Sequence, residues 1–76
     1  AGAGRELARL RLEVNRRAKE RSQLQYAFGG AVYAGDDAEA ERLRAEIKAV
    51  DERIAACVEE ANAVVERMRA TRAQER

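Results

Sequence analysis

From residue 40 onward the apolar positions recur at alternating steps of three and four: Ala40, Leu43, Ile47, Val50, Ile54, Cys57, Ala61, Val64 and Met68. That spacing is the a/d pattern of a coiled-coil seam, which keeps one stripe of a helix turned toward a partner helix. Val58 and Val65 follow two of the d positions and widen the stripe. In the first half Leu7, Leu10, Val14, Leu24 and Phe28 obey the same rule. Arg17 and Arg21 occupy the seam positions between them, beside Ala18, so the seam is weakest there.

Gly35-Asp36-Asp37 punctuates the two runs. Glycine suits the position after a helix because it takes a positive φ without steric cost. Asp36 can cap the next helix by accepting from its free amides, with Glu39 three residues on to complete a capping box. Asp37, Glu39 and Glu41 put negative charge at the positive end of the second helix. Gly29-Gly30 is a competing break. If the first helix stopped at Phe28, the seam beyond about Val58 would have no partner within the chain. If it runs on to Ala34, residues i and roughly 72 − i pair across an antiparallel hairpin. Leu7 then meets Val64 and Val65, Leu10 meets Ala61, and Val14 meets Cys57 and Val58. Two glycines inside a helix cost about 1 kcal/mol each against alanine, less than burial of those side chains returns. The long helix is therefore expected, with arms on the order of 45 Å at 1.5 Å per residue.

The expected fold is all-α: a long antiparallel two-helix coiled-coil hairpin, dimerising into a four-helix assembly. Its parts are helix 1 over 5–34, a turn over 35–37 and helix 2 over 38–75. Ala1-Gly2-Ala3-Gly4, without an initiator Met, reads as a flexible cloning remnant. No stop signal closes the other end, so the chain reads as a fragment of a longer protein.

Charge agrees with this pairing. Residues 1–35 carry seven basic and three acidic groups, net +4, and residues 36–76 carry eight and eleven, net −3. A basic arm folded on an acidic arm is self-complementary, and the same register sets Arg21 near Asp51. Exposed pairs contribute under about 1 kcal/mol each, so they select register more than they stabilise.

Composition narrows the chemistry. The chain has 76 residues, 8.5 kDa, no proline, tryptophan or histidine, and one cysteine. One cysteine makes no internal disulfide, and the usual zinc or iron ligand sets need histidine or more cysteines. A histidine acid–base centre is excluded as well. No apolar run reaches the roughly 20 residues of a membrane span, so no membrane insertion is expected. A cytoplasmic, non-enzymatic protein without cofactor is the reading, with no catalytic residue assigned. Thirteen Arg against two Lys, with many Ala, associates with a high-GC bacterial genome.

A two-helix hairpin this small has a narrow core and gains from a partner. Ala49, Ala56, Ala63 and Ala70 repeat every seven residues along the second helix. They either permit close approach of another helix or serve only as good helix formers. Tyr26, Gly29, Gly30 and Tyr33 share one face turned away from the seam. They either receive another chain between the tyrosines, a residue type enriched at interface hot spots, or form a local bend packed on the connector. The homodimer is the expected assembly, with a protein partner as a further possibility. Asp36, Asp37, Glu39 and Glu41 crowd the tip, where capping is the simpler role; a hard-cation site on Asp36 and Glu39 would need outside ligands. Arg16, Arg17, Lys19 and Arg21 could contact phosphates, but Glu13, Glu20 and the acidic second arm point to a salt-bridged face, and nucleic acid is not the expected partner. Cys57 lies in the seam as a small buried hydrophobe.

Several segments resemble known hairpins. Ala34-Gly35-Asp36-Asp37-Ala38-Glu39, with Arg5-Glu6-Leu7 and Arg53-Ile54, resembles the coiled-coil hairpin of Gre-type transcript cleavage factors. That resemblance implies a tip acting in the RNA polymerase secondary channel, with Asp36 and Glu39 holding Mg²⁺. The family's Asn and Tyr after the acidic pair are replaced here by Ala40 to Leu43. Glu13-Val14-Asn15-Arg16-Arg17-Ala18-Lys19 is similar to the tRNA-binding arm of seryl-tRNA synthetases, which implies an RNA-binding arm. Leu43-Arg44, Ile47, Val50-Asp51 and Ile54 are similar to the first helix of chorismate mutases. Glu59-Glu60-Ala61 stands where that family carries an arginine, which removes a substrate carboxylate clamp. Phe28-Gly29-Gly30-Ala31-Val32-Tyr33-Ala34-Gly35-Asp36, followed by the Arg/Glu-rich second helix, resembles small actinobacterial hairpin proteins of unknown function. The function expected from all of this is a coiled-coil interaction and oligomerisation module, and the alternative a Gre-like tip or RNA-binding arm.

Overall fold

The computed structural model describes residues 2–75. Two helices, α1 (Gly2–Ala34) and α2 (Asp37–Gln74), form an antiparallel hairpin measuring 62 × 14 × 13 Å. It is longer than the estimate for its arms: α1 has 33 residues rather than the 30 expected, and α2 keeps 38 residues, shifted by one so that it ends at Gln74 instead of residue 75. α1 starts at Gly2, so Gly2, Ala3 and Gly4 are helical where a flexible segment was expected; Ala1 lies outside the described residues. Ala3 is half-buried and falls on the seam spacing four residues before Leu7, level with Met68. The seam therefore begins one step earlier than its first large side chain. α2 begins at Asp37, one residue sooner than expected, which leaves a two-residue connection.

That connection is built from hydrogen bonds. Gly35 takes φ +72°. Its N–H donates to the Val32 carbonyl at 3.1 Å, and the Asp36 N–H donates to the Ala31 carbonyl at 3.0 Å. These two bonds satisfy two of the four free carbonyls at the end of α1 in a Schellman arrangement. Asp36 then caps α2: its carboxylate accepts from the Glu39 N–H at 3.2 Å, and its carbonyl accepts from the Ala40 N–H at 2.9 Å. The expected capping box is only half made. Because the Asp36 N–H is already bonded to Ala31, the Glu39 carboxylate has no reason to reach back and instead holds Arg42.

Gly29 and Gly30 do not break α1, which is continuous through both. The seam follows the periodicity throughout. Leu10 and Val64 are the most deeply buried side chains, each 1% exposed, and Ala31, Ala40, Leu43 and Val50 complete the buried set. Near the turn Ala31, Ala40 and Leu43 cluster with half-buried Leu24 and Phe28. Arg44 stacks over the Phe28 ring at 5.1 Å from its centroid, a contribution of about 0.5–1 kcal/mol at an exposed site. Phe28 thus lends its face to a cation while its body fills the seam.

Register is visible in the ion pairs between arms. Arg21 pairs with Asp51, as the charge pattern requires. Arg67 pairs with Glu6 at 3.2 Å and Arg9 with Glu60 at 3.8 Å. All three lie close to the i, 72 − i rule.

Candidate interaction surface

The middle of the seam is polar. Arg17, on a seam position of α1, is half-buried and clamped between Glu13 at 2.9 Å and Glu20 at 3.3 Å. Arg16 also donates to Glu13. The hydrogen bond from Arg17, with a further bond and the charge of Arg16, holds the Glu13 carboxyl below the ordinary glutamate range despite partial burial. The Glu13 carboxylate in turn raises Arg17. One turn on, the hydrogen bond to Asp51 raises Arg21. No side-chain polar atom buried among the described residues lacks a partner. The two seam arginines are therefore accommodated by extending their heads to carboxylates at the rim while their stems cover apolar neighbours.

This arrangement also accounts for three of the four cations of the basic run; Lys19 has no ion pair among the described residues. Arg16, Arg17 and Arg21 are each engaged with an acidic side chain of the chain itself. At the tip, Asp36 serves as the α2 cap and Glu39 is bound to Arg42, which lowers the Glu39 carboxyl. Among the described residues no group of three or more His, Cys, Asp or Glu side chains is placed to hold a metal ion. Among the described residues no helix is long and apolar enough to cross a membrane.

Tyr26 and Tyr33 stand on the outer face of α1 and are 88% and 95% exposed. Gly29 and Gly30 lie between them on the same side, and a Cβ on either would meet nothing within 4 Å. The face is open, and the exposed tyrosines do not pack onto the connector. Ala49, Ala56, Ala63 and Ala70 are all exposed along α2. They do not form a clear apolar strip, because Arg42, Glu46, Arg53, Glu60 and Arg67 run beside them. Ala49 and Ala56 lie in shallow grooves walled by Glu46, Arg53 and Glu13.

A more apolar groove lies on the opposite side of the ribbon. Leu10, Val14 and Ala61 form its floor, Val58 its apolar rim, and Arg11, Asn15 and Asn62 its polar ends. Val58 is 43% exposed there. Val58 and Val65 were legible as a widened stripe, but the groove was not. It needs the register, since its residues come from both arms. Cys57 is half-buried in the seam at the level of Val14.

The chain matches no protein-family model, no curated protein and no solved structure.

Proposed function

We propose that the chain is a non-enzymatic helical-hairpin module whose work is contact with other helices, a second copy of itself first among them. The observation that carries this reading is the distribution of apolar surface. Only six apolar side chains are buried along the whole described hairpin, while Tyr26, Tyr33, Leu12, Val32 and Val58 stand exposed. Large side chains held in fixed positions on a stiff helix supply contact area at low entropic cost, which is why aromatic residues anchor interfaces. The Tyr26/Gly29/Gly30/Tyr33 face suits a protein partner, since the two glycines leave room for its backbone or side chain between the rings. A single unpaired cysteine fits a reducing, cytoplasmic setting, and the Arg- and Ala-rich composition fits a bacterial source.

Self-association couples folding to concentration, because anything that binds only the folded form stabilises it by mass action. The midpoint of thermal unfolding, followed by circular dichroism, is expected to rise between about 2 and about 200 µM chain. A midpoint independent of concentration contradicts self-association. Tight binding to RNA that weakens steeply with salt would replace this reading with a phosphate-binding arm.

A further inference from the structure

Each helix presents an outer edge, the side opposite the seam, and the two edges differ in size and charge. On α1 the midline of this edge recurs every seven residues as Arg5, Leu12, Lys19, Tyr26 and Tyr33, all exposed. Arg9, Arg16, Gln23 and Gly30 fill the alternate steps of the same stripe, and no acidic residue stands on it. On α2 the midline passes through Ala38, Ala45, Glu52, Glu59, Glu66 and Ala73. The repeat Ala49, Ala56, Ala63 and Ala70 supplies the alternate steps, so from Ala45 to Ala73 the stripe holds only alanine and three glutamates. One edge is large and basic, the other small and acidic. Among the described residues Arg5, Lys19, Glu52 and Glu59 make no ion pair, while Glu66 holds Arg69 at 2.8 Å.

The edges also agree in register. Leu10 stands level with Ala61 and Arg21 with Asp51, and the same count sets each midline residue of α1 level with one of α2. Consider a second copy displaced sideways, without rotation or slip, so that its α2 edge lies on the α1 edge of the first. Arg5 then faces Glu66 of the neighbouring copy, and Lys19 faces its Glu52. Tyr26 and Tyr33 face Ala45 and Ala38, in both cases a large ring against a methyl group. Glu59 comes opposite Leu12, about one turn from Arg9 on one side and from Arg16 on the other. At the rim, Glu41, Arg42, Lys48 and Arg69 of the neighbour come level with Gly30, Gly29, Gln23 and Gly2, and none meets a like charge there. Arg42 is thereby level with the gap between the two tyrosines, whose ring faces attract a cation.

Other pairings of the edges match less. An α1 edge on another α1 edge sets cations against a stripe without a carboxylate, and α2 on α2 sets three glutamates against a stripe without a cation. A slip of seven residues in one direction leaves Arg5 opposite Ala73, and in the other leaves Lys19 opposite Ala45. Turned end for end, the neighbour matches both cations only with Glu52 by Arg5 and Glu66 by Lys19. That register leaves Tyr33 beyond the end of α2.

We infer that the outer edge of α1 is a docking surface for the outer edge of α2 of a second copy, side by side and in register. This inference rests on the self-association proposed above and goes further by naming the surface, the direction and the contacts. The tyrosines and the alanines opposite them supply the apolar area that is buried, and the exposed charge pairs select direction and register. Because the two edges differ, the contact is heterologous, and each copy added leaves one edge of each kind free. Association therefore runs past two copies, as an open row or a closed ring.

Cross-linking between two distinguishable chains tests it. Each chain carries Cys57→Ser and one new cysteine, and one chain is lengthened by a tag so that mixed and self-linked products separate by size. Gln23, Ala49 and Ala70 are all exposed, and circular dichroism verifies that each variant keeps its helicity. A short bismaleimide is expected to link Gln23→Cys chains to Ala49→Cys chains. It is expected to link neither variant to itself, and not to link Gln23→Cys to Ala70→Cys, the position that the end-for-end register brings level. Linking to Ala70→Cys overturns the direction, and self-linked products alone overturn the heterologous contact. Oligomers that give none of these links place the interface elsewhere and overturn the inference while leaving self-association intact. Lys19→Glu is expected to weaken association on the order of fivefold in sedimentation, and Glu52→Lys added to it to restore the parent value; a double variant no stronger than Lys19→Glu overturns that pairing. A parent chain that sediments as a monomer at every concentration overturns both the self-association and this contact.

Discussion

Replacing Gly29 and Gly30 by alanine tests whether α1 is one uninterrupted helix. Both lie in the helix interior, and Gly35 alone among the glycines has a positive φ. A methyl group at either position meets no atom within 4 Å. Nothing in the hairpin therefore opposes the intrinsic preference, and each substitution should stabilise by about 1 kcal/mol, chiefly by restricting the unfolded chain. The two gains are local, and the double variant should gain about 2 kcal/mol. For a chain of this length each 1 kcal/mol moves the unfolding midpoint by about 4–8 °C. The double variant should thus melt roughly 8–16 °C higher when followed by far-ultraviolet circular dichroism at fixed concentration. Gly35→Ala is the control. At φ +72° a Cβ meets the following carbonyl, and the same methyl group should destabilise by about 1–2 kcal/mol. A double variant that melts at or below the parent temperature would refute the continuous helix. The tyrosine face adds a second readout: the stabilised variant should bind a helical partner less well, because the two methyl groups fill the gap between Tyr26 and Tyr33.

Three further outcomes follow from the seam. Leu10→Ala removes one of the two most buried side chains and should cost about 2–5 kcal/mol, measured by urea unfolding; a cost under about 1 kcal/mol would place Leu10 outside the core. Arg17→Leu exchanges a half-buried, carboxylate-clamped cation for an apolar seam residue and should raise the urea midpoint; a midpoint at or below the parent's would contradict the seam position of Arg17. In that variant the Glu13 carboxyl should titrate closer to its ordinary range by nuclear magnetic resonance, since its principal donor is gone. Acid should weaken the hairpin. Glu13 and Glu39 hold fewer protons folded than unfolded, so the stability they add is complete above the ordinary value of 4.5 and is lost as pH falls through the lowered one. Melting temperatures that stay level from neutral pH to well below that value would contradict the Arg17 and Arg42 pairings.

The hairpin was legible because three independent signals agree on it. Apolar spacing draws the seam from Ala40 to Met68, Gly35-Asp36 supplies both a helix end and a helix start, and opposite net charges on the two arms select the register that joins Arg21 to Asp51. Elsewhere local residue preferences misled. Gly2 and Gly4 favour disorder, yet Ala3 continues the seam opposite Met68 and holds that turn in helix. Glu39 has capping-box spacing, yet the Asp36 N–H is consumed by the Ala31 carbonyl, a bond that exists only because α1 ends so close to α2. The tyrosine face was legible from an i, i+3, i+4, i+7 pattern within one helix. The apolar groove was not, because Leu10, Val14, Val58 and Asn62 line one surface only after two distant segments are set in register. A repeat such as Ala49, Ala56, Ala63 and Ala70 shows in the sequence at once, but its charged neighbours on the same side decide what it can meet.

Sedimentation equilibrium of the unmodified chain decides whether the hairpin self-associates. Self-association predicts a mass of at least about 17 kDa at high micromolar concentration, twice the 8.5 kDa chain, dissociating on dilution. A mass that stays at 8.5 kDa across the whole concentration range would contradict it.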